Sequence, residues 1–208
     1  MITPSRFLLL GAAAAAVVAP AASAANVQSA NQAKCTAKTA GAAVGDSALW
    51  MAVENYGQKG TLQRALGGPM AKVDTKTGRQ FSEGITTMRS VLGTKPCAVV
   101  IALGTNGPVK PQQWREMMAV VKRAPRVVVV NTYTKDHRTR RDGQQQFWME
   151  QVNRDIARLS RSNKNVRVVD WYRVASRRSS VLEPDGVHPS ARGSKQYVAL
   201  IVKALRQK

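Results

Sequence analysis

Short, almost continuously apolar runs alternate with longer segments of helical period between residue 40 and the C-terminus. The runs are short and contain little polar alternation, which is typical of strands that are covered on both faces. We predict five strands, in chain order AAVGD, MAKVD, AVVIALG, RVVVVNTY and VRVVDWY.

Two of the intervening segments have a clear apolar stripe. Trp148, Val152, Ile156 and Leu159 recur at spacings of four, four and three, and Tyr197, Val198, Ile201 and Leu205 form a similar stripe near the C-terminus. Such stripes predict helices that pack one face against a core. Strands that alternate with these helices predict an α/β domain with a parallel sheet.

The N-terminus has the pattern of a secretory signal peptide. Arg6 precedes the apolar run FLLLGAAAAAVVAPAA, and Ala22-Ser23-Ala24 forms a small-residue cleavage site. The run is broken by Pro20 and is shorter than the roughly 20 residues that span a bilayer, so a permanent anchor is the weaker interpretation. We expect a signal peptide over residues 1–24, cleaved near Ala24, a flexible leader over 25–39 and one domain over 40–208. The protein is therefore expected to be secreted, periplasmic or in the cell wall.

The chain is strongly basic. It contains 32 Lys and Arg against 12 Asp and Glu, a formal net charge of +20. For an exported protein, this charge predicts attraction to wall polymers, anionic glycans or lipid surfaces. The basic residues are dispersed and lack zinc-finger spacing and aromatic-basic motifs, which disfavours nucleic acid. The expected partner is an anionic cell-envelope polysaccharide or peptidoglycan, and we expect a monomer.

The chain has two cysteines, Cys35 and Cys97. In an exported protein this favours one disulfide, with two buried free thiols as the alternative. Neither of the two histidines lies near a cysteine in the sequence, so no metal site is predicted.

The segment AAVGDSALW, residues 42–50, places Ser47 between a strand and a helix. The carboxyl end of a parallel sheet is where α/β folds bind ligands, so Ser47 is a candidate nucleophile. The alternative is that Ser47 or Asp46 only caps the helix.

The segment EPDGVHPS, residues 183–190, follows the last strand and holds His188. Asp185, three residues before it, can orient the imidazole, which would then take the serine proton. Alternatively, Asp185 forms a turn hydrogen bond and His188 is a surface residue.

The segment ALGTNGP, residues 102–108, ends the third strand in a glycine-flanked turn. The Asn106 amide there can donate a hydrogen bond to an oxyanion beside the nucleophile. An ordinary Asn-Gly turn is the alternative.

Together these three segments resemble the SGNH or GDSL-type serine esterase and acyltransferase superfamily in order and approximate spacing. The segment VDTKTGRQF, together with GTNG, is similar to the extracytoplasmic catalytic domains of peptidoglycan O-acetyltransferases. Two features depart from the wider pattern. Gly107 stands where many members of the superfamily have aspartate, and the acetyltransferase-like branch shares this departure. The membrane acyl-donating domain that is usually fused to such acetyltransferases is missing.

The resemblance implies a flavodoxin-like three-layer α/β sandwich with a five-stranded parallel sheet. It implies Ser47 as nucleophile, His188 as general acid and base and Asp185 as its orienting group. The N–H groups of Ser47 and Gly78 and the Asn106 side chain would form the oxyanion hole. No metal or cofactor is implied. In this fold the first and third strands are neighbours, which would bring Cys35 and Cys97 together at the amino end of the sheet.

Three functions follow as hypotheses: an esterase or acyltransferase of envelope glycan, an esterase of small or lipid-like esters, and a noncatalytic basic wall-binding module. A transferase would take its acyl group from a separate membrane protein. Loops after the fourth and fifth strands carry seven cations expected to rim the site and bind an anionic polymer, with retention on the envelope or solubility as the alternative. These are Lys135, Arg138, Arg140, Arg141, Arg173, Arg177 and Arg178. His137, in the first of these loops, is expected to be solvated.

Overall fold

The computed structural model describes residues 35–135 and 148–207. A parallel sheet of five strands in the order β2-β1-β3-β4-β5 forms its centre. The strands are β1 (Ala42–Gly45), β2 (Lys72–Thr75), β3 (Val99–Ala102), β4 (Val127–Val130) and β5 (Val166–Val169). All five predicted strands are confirmed, and the order is that of a flavodoxin-like fold.

Helices connect the strands and cover the sheet. They are α1 (Ser47–Trp50), which continues as a π-helical turn over Met51–Asn55, α2 (Lys59–Ala65), α3 (Phe81–Val91), α4 (Pro111–Val120), α5 (Trp148–Ser162), α6 (Trp171–Arg177) and α7 (Ala191–Arg206).

The core lies on both faces of the sheet, because alternate residues of a strand point to opposite sides. On β3, Val99 and Ile101 face one apolar cluster, whereas Val100 and Ala102 face the other. All four residues of β1, β3 and β4 are buried, which explains why their sequences are continuously apolar. β2 is more exposed because it is an edge strand of the sheet.

The two predicted helical stripes face these clusters. In α5, Val152 and Ile156 are fully buried, and in α7 all four predicted residues are buried. Burying one such aliphatic side chain stabilises the fold by about 1.5–3 kcal/mol. α7 also approaches the backbone closely at Gly193, where a Cβ atom would lie 1.8 Å from the carbonyl oxygen of Val181.

A disulfide joins Cys35 and Cys97 across 62 residues and confirms the predicted pairing. Cys97 precedes β3, and its N–H donates to the carbonyl of Thr39, at 2.8 Å. The bond therefore ties the segment before β1 to the loop before β3, at the amino end of the sheet.

The predicted signal peptide and the first part of the predicted leader lie outside the described residues, as does His137. Within the part of the chain that the structure describes, no helix has both the length and the apolar character needed to span a bilayer.

Candidate active site

In the turn between β1 and α1, Asp46 caps the helix and Ser47 does not. The buried carboxylate of Asp46 accepts the N–H of Ala48 through Oδ1 and the N–H of Thr105 through Oδ2, both at 3.1 Å. Asp46 therefore caps α1 and also joins this turn to the loop after β3. The hydroxyl of Ser47 makes no hydrogen bond to any other described residue, so capping leaves it available for chemistry.

Gly45 explains how the helix can follow the strand so abruptly. A Cβ atom at this position would lie 2.4 Å from Cβ of Leu49, so only glycine lets the first turn of α1 pack against the end of β1. Ser47 is thereby placed at the carboxyl end of β1 and at the N-terminus of a helix, where backbone N–H groups favour negative charge.

The loop before α7 holds the predicted acid-base pair. Nδ1 of His188 lies 2.6 Å from Oδ2 of Asp185, and Oδ1 of Asp185 accepts the N–H groups of Val187 and His188, at 2.9 and 3.0 Å. Burial opposes ionisation of Asp185, but these hydrogen bonds outweigh it and lower its pKa below the usual value. The carboxylate therefore fixes the imidazole through Nδ1 and leaves Nε2 as the nitrogen free to exchange protons.

Several contacts close this loop on itself and on its neighbours. The N–H of Glu183 donates to the carbonyl of His188 at 2.8 Å, and Gly186 adopts a φ of +68° in the turn between them. The Glu183 carboxylate accepts a 2.5 Å hydrogen bond from the Tyr56 hydroxyl, which follows the nucleophile segment. The N–H of Lys135 donates to the carbonyl of Gly186 at 2.7 Å.

The nucleophile turn and the His188 loop meet at the carboxyl end of the sheet. Asp46 and Val187 line one small cavity of about 10 Å³, which is about the least space that a single water molecule needs. Burial raises the pKa of Asp46, whereas the N–H groups of Thr105 and Ala48 and the charge of His188 oppose this rise. Within the described part of the chain, no hydrogen bond joins Ser47 to His188, as is common before a substrate binds.

The predicted oxyanion donors lie on two further loops. Gly78 has a φ of +70°, and a Cβ atom there would contact nothing within 4 Å, so its backbone borders open space. Nδ2 of Asn106 donates to the carbonyl of Arg79 at 3.2 Å. An amide nitrogen carries two hydrogens, so the second remains available to a substrate oxygen.

Arg79 is a structural residue of this site for which the sequence predicted no role. Its side chain is 6 % exposed. Nη1 donates to the carbonyls of Gly45 and Asp74, at 2.9 and 3.0 Å, and Nη2 pairs with the Asp74 carboxylate. The buried guanidinium of Arg79 thus joins the ends of β1 and β2, and the backbone carbonyl of the same residue accepts a hydrogen bond from Asn106.

Four of the seven cations predicted to rim the site lie within the described residues. Lys135 contacts the His188 loop, and Arg173 lies in the first turn of α6, where its N–H donates to Asp170. Arg177 ends α6 and Arg178 follows it. Arg138, Arg140 and Arg141 lie outside the described residues. No group of three or more His, Cys, Asp and Glu side chains within residues 35–135 and 148–207 is suited to hold a metal ion.

Solved structures define the class to which this fold belongs. A lipase/acylhydrolase from Enterococcus faecalis superposes with a TM-score of 0.55 at 19% identity, covering 78% of this chain and 94% of that one. A member of the lipolytic G-D-S-L family from Veillonella parvula superposes with a TM-score of 0.53 at 13% identity, covering 78% and 95%. The chain has the SGNH/GDSL hydrolase fold.

No family model matches the sequence. Comparison with individual proteins identifies more specific relatives within this class. The peptidoglycan O-acetyltransferase OatA of Listeria monocytogenes is 32% identical over 167 residues, which cover 79% of this chain and 24% of that protein. The chain is thus a distant homologue of one region of peptidoglycan O-acetyltransferases, and it spans about a quarter of the length of this relative.

Proposed function

We propose that the protein is an exported serine esterase or O-acyltransferase that acts on acyl esters, chiefly acetyl esters, of cell-envelope glycan. The main support for this proposal is the hydrogen-bonded Asp185–His188 pair. It lies at the same end of the sheet as Ser47, whose hydroxyl makes no hydrogen bond to another described residue. The relationship to peptidoglycan O-acetyltransferases supports an acetyl group and a glycan. The disulfide supports a location outside the cytoplasm.

In the first half-reaction, Ser47 attacks the ester carbonyl. His188 accepts the hydroxyl proton at Nε2 as Oγ bonds to the carbonyl carbon. The tetrahedral intermediate then expels the alcohol, which takes the proton back from His188, and an acyl-serine remains. Asp185 holds Nδ1–H throughout and stabilises the imidazolium that forms.

The negative charge on the carbonyl oxygen needs donors that are already in place. We assign this role to the N–H of Ser47, the N–H of Gly78 and Nδ2 of Asn106. Three features support the assignment: Ser47 begins a helix, Gly78 borders open space, and Asn106 is oriented by the Arg79 carbonyl.

In the second half-reaction, His188 activates an acceptor that attacks the acyl-serine. Water as the acceptor gives an esterase, and a sugar hydroxyl gives a transferase. A transferase would receive its acyl group from a donor on a separate membrane protein. Lys135 and Arg173, with the other predicted rim cations, would attract an anionic polymer toward Ser47.

The test supplies an activated acetyl ester to the full-length protein, with and without soluble peptidoglycan fragments, and measures release of the alcohol and acetylation of the sugar. We expect turnover that is lost in Ser47→Ala and His188→Ala and retained in Ser82→Ala, which changes an exposed serine on α3. In parallel, acetylated glycan is supplied and acetate release is measured.

Two outcomes would contradict the proposal. Turnover of small esters with neither transfer to glycan nor release from it would indicate an esterase of small or lipid-like esters. A Ser47→Ala protein that keeps every biological effect of the parent would indicate a noncatalytic wall-binding module.

A further inference from the structure

Six cations converge at the amino end of the sheet, away from Ser47. They lie in three segments at the starts of β3, β4 and β5, residues 92–98, 121–126 and 163–167, of which the last includes the first two residues of β5. Because Val99, Val127 and Val166 are paired in register, these segments lie side by side. We name this set the amino-end basic cluster: Lys95, Lys122, Arg123, Arg126, Lys164 and Arg167.

The three segments of the cluster differ in composition from the opposite end of the sheet. The three segments contain no Asp or Glu. At the carboxyl end, by contrast, the ends of β1, β2 and β5 and the loop before α7 carry Asp46, Asp74, Asp170, Glu183 and Asp185. Lys95, Lys122, Arg123 and Lys164 take part in none of the ion pairs between described residues. Among the described residues, these four exposed cations therefore lie opposite the candidate active site without an ion-pair partner.

Two arginines of the cluster donate hydrogen bonds to backbone carbonyls. The Arg126 guanidinium donates to the carbonyl of Leu205, and that of Arg167 donates to the carbonyls of Lys164 and Val166, at 2.6 and 3.3 Å. Partial burial and the charge of Arg167 lower the pKa of Arg126.

A cavity lies within the same surface. It has a volume of about 330 Å³ and is lined by Leu92, Gly93 and Thr94 on one side and by Val120, Lys122 and Arg123 on the other. Two cations and two aliphatic side chains around one concave space suit a ligand in which an anionic group is attached to an uncharged carbon segment.

We propose that the amino-end basic cluster binds a linear envelope polymer whose phosphate or carboxylate groups recur between uncharged polyol or sugar units. Binding there would retain the protein on the envelope while the opposite end of the sheet stays open to its ester substrate. The concave surface favours a polymer chain over a bilayer. The large hydrophobic side chains that are exposed in the described residues, Met70 and Tyr172, both lie outside the three segments. A bilayer surface would be expected to meet such side chains here.

The test compares two variants of equal net charge. Lys122→Gln/Arg123→Gln/Lys164→Gln neutralises three exposed cations of the cluster, and Arg64→Gln/Arg115→Gln/Lys195→Gln neutralises three exposed cations on α2, α4 and α7. Binding of the full-length proteins to polyglycerol phosphate, polygalacturonate and phosphatidylglycerol vesicles is measured at low and high salt. The first two probes separate phosphate from carboxylate recognition.

We expect the cluster variant to bind at least one polymer about tenfold or more weakly at low salt, and the control variant to remain close to the parent. Both should turn over a small neutral ester at the parental rate, so the result is independent of the chemistry proposed at Ser47. Equal weakening of both variants would overturn the proposal, since binding would then follow net charge. Absence of polymer binding by the parent, or binding to vesicles alone, would also overturn it. Lys122→Glu provides a single-site variant that should weaken binding in the same direction.

Discussion

Replacement of Arg79 by methionine tests how the nucleophile turn and the oxyanion loops are held together. Methionine keeps an unbranched side chain but removes every donor. The carbonyls of Gly45 and Asp74 then lose hydrogen bonds of 2.9 and 3.0 Å, and the Asp74 carboxylate loses its partner. The Arg79 carbonyl, which holds Asn106, is freed to shift with its segment.

The expected effect on stability is moderate. Gly45 keeps a second donor, the N–H of Lys76 at 3.3 Å, and the Asp74 side chain is 41 % exposed and can be rehydrated. With a cost of about 1–3 kcal/mol for a buried group left without its partner, the free energy of unfolding should fall by about 1–3 kcal/mol. The variant should therefore still fold.

The expected effect on catalysis is larger, because an oxyanion donor must be in place before charge develops. Loss of one such donor costs about 10²- to 10³-fold in kcat, so a displaced Asn106 should lower kcat by about tenfold or more. KM for an activated ester should change little. Asp74→Asn is the matched control, since it removes the ion pair but leaves both carbonyl contacts of Arg79, and its kcat should stay within about threefold of the parent.

A double-variant cycle makes the assay specific. If Arg79 acts through Asn106, the losses in kcat from Arg79→Met and Asn106→Ala should not multiply in the double variant. Fully multiplicative losses, or an Arg79→Met protein with parental kcat, would refute the reasoning.

Three further predictions concern stability. Gly78→Ala should lower the free energy of unfolding by about 1 kcal/mol in urea titrations, because φ is +70° at this position. Gly93 also borders open space but has no positive φ, so Gly93→Ala should not lower the free energy of unfolding. Equal effects of the two substitutions would contradict this prediction. Cys35→Ser/Cys97→Ser should lower it by about 4 kcal/mol in the chain-entropy model, because the bond closes a loop across 62 residues, and a loss below about 1 kcal/mol would contradict this. Because folding lowers the pKa of Asp185, its contribution is present above the usual value of 3.8 and lost as the pH falls below it. Asp185→Asn should therefore lose less stability than the parent on acidification through that range, and identical pH profiles would contradict the shift.

The fold was predictable because its strands and two of its helices follow simple periodicities. A strand buried on both faces must be apolar at every position, as VVVV in β4 is, and a helix on one face must repeat its apolar residues, as α7 does. The position of the disulfide was predictable because β1 and β3 are neighbours in a flavodoxin-like sheet.

The contacts inside the site were less predictable. Sequence could not decide whether Asp46 or Ser47 caps α1, because both side chains can do so. The structure assigns the cap to Asp46, which accepts the N–H of Ala48 and also that of Thr105, 59 residues away in the chain. Arg79 was overlooked for a similar reason. In a chain with 32 basic residues, a buried arginine carries no distinguishing signal until its acceptors converge in space.

An acyl group trapped on Ser47 would test the central claim most directly. The full-length protein is mixed with an activated acetyl ester, quenched in acid and digested with trypsin. The peptide spanning residues 39–59 contains Ser47 as its only serine. We predict that this peptide gains the mass of one acetyl group, that fragmentation places the group on Ser47, and that it is absent in Ser47→Ala. Turnover without this adduct, or an adduct on another residue that accounts for turnover, would contradict the account.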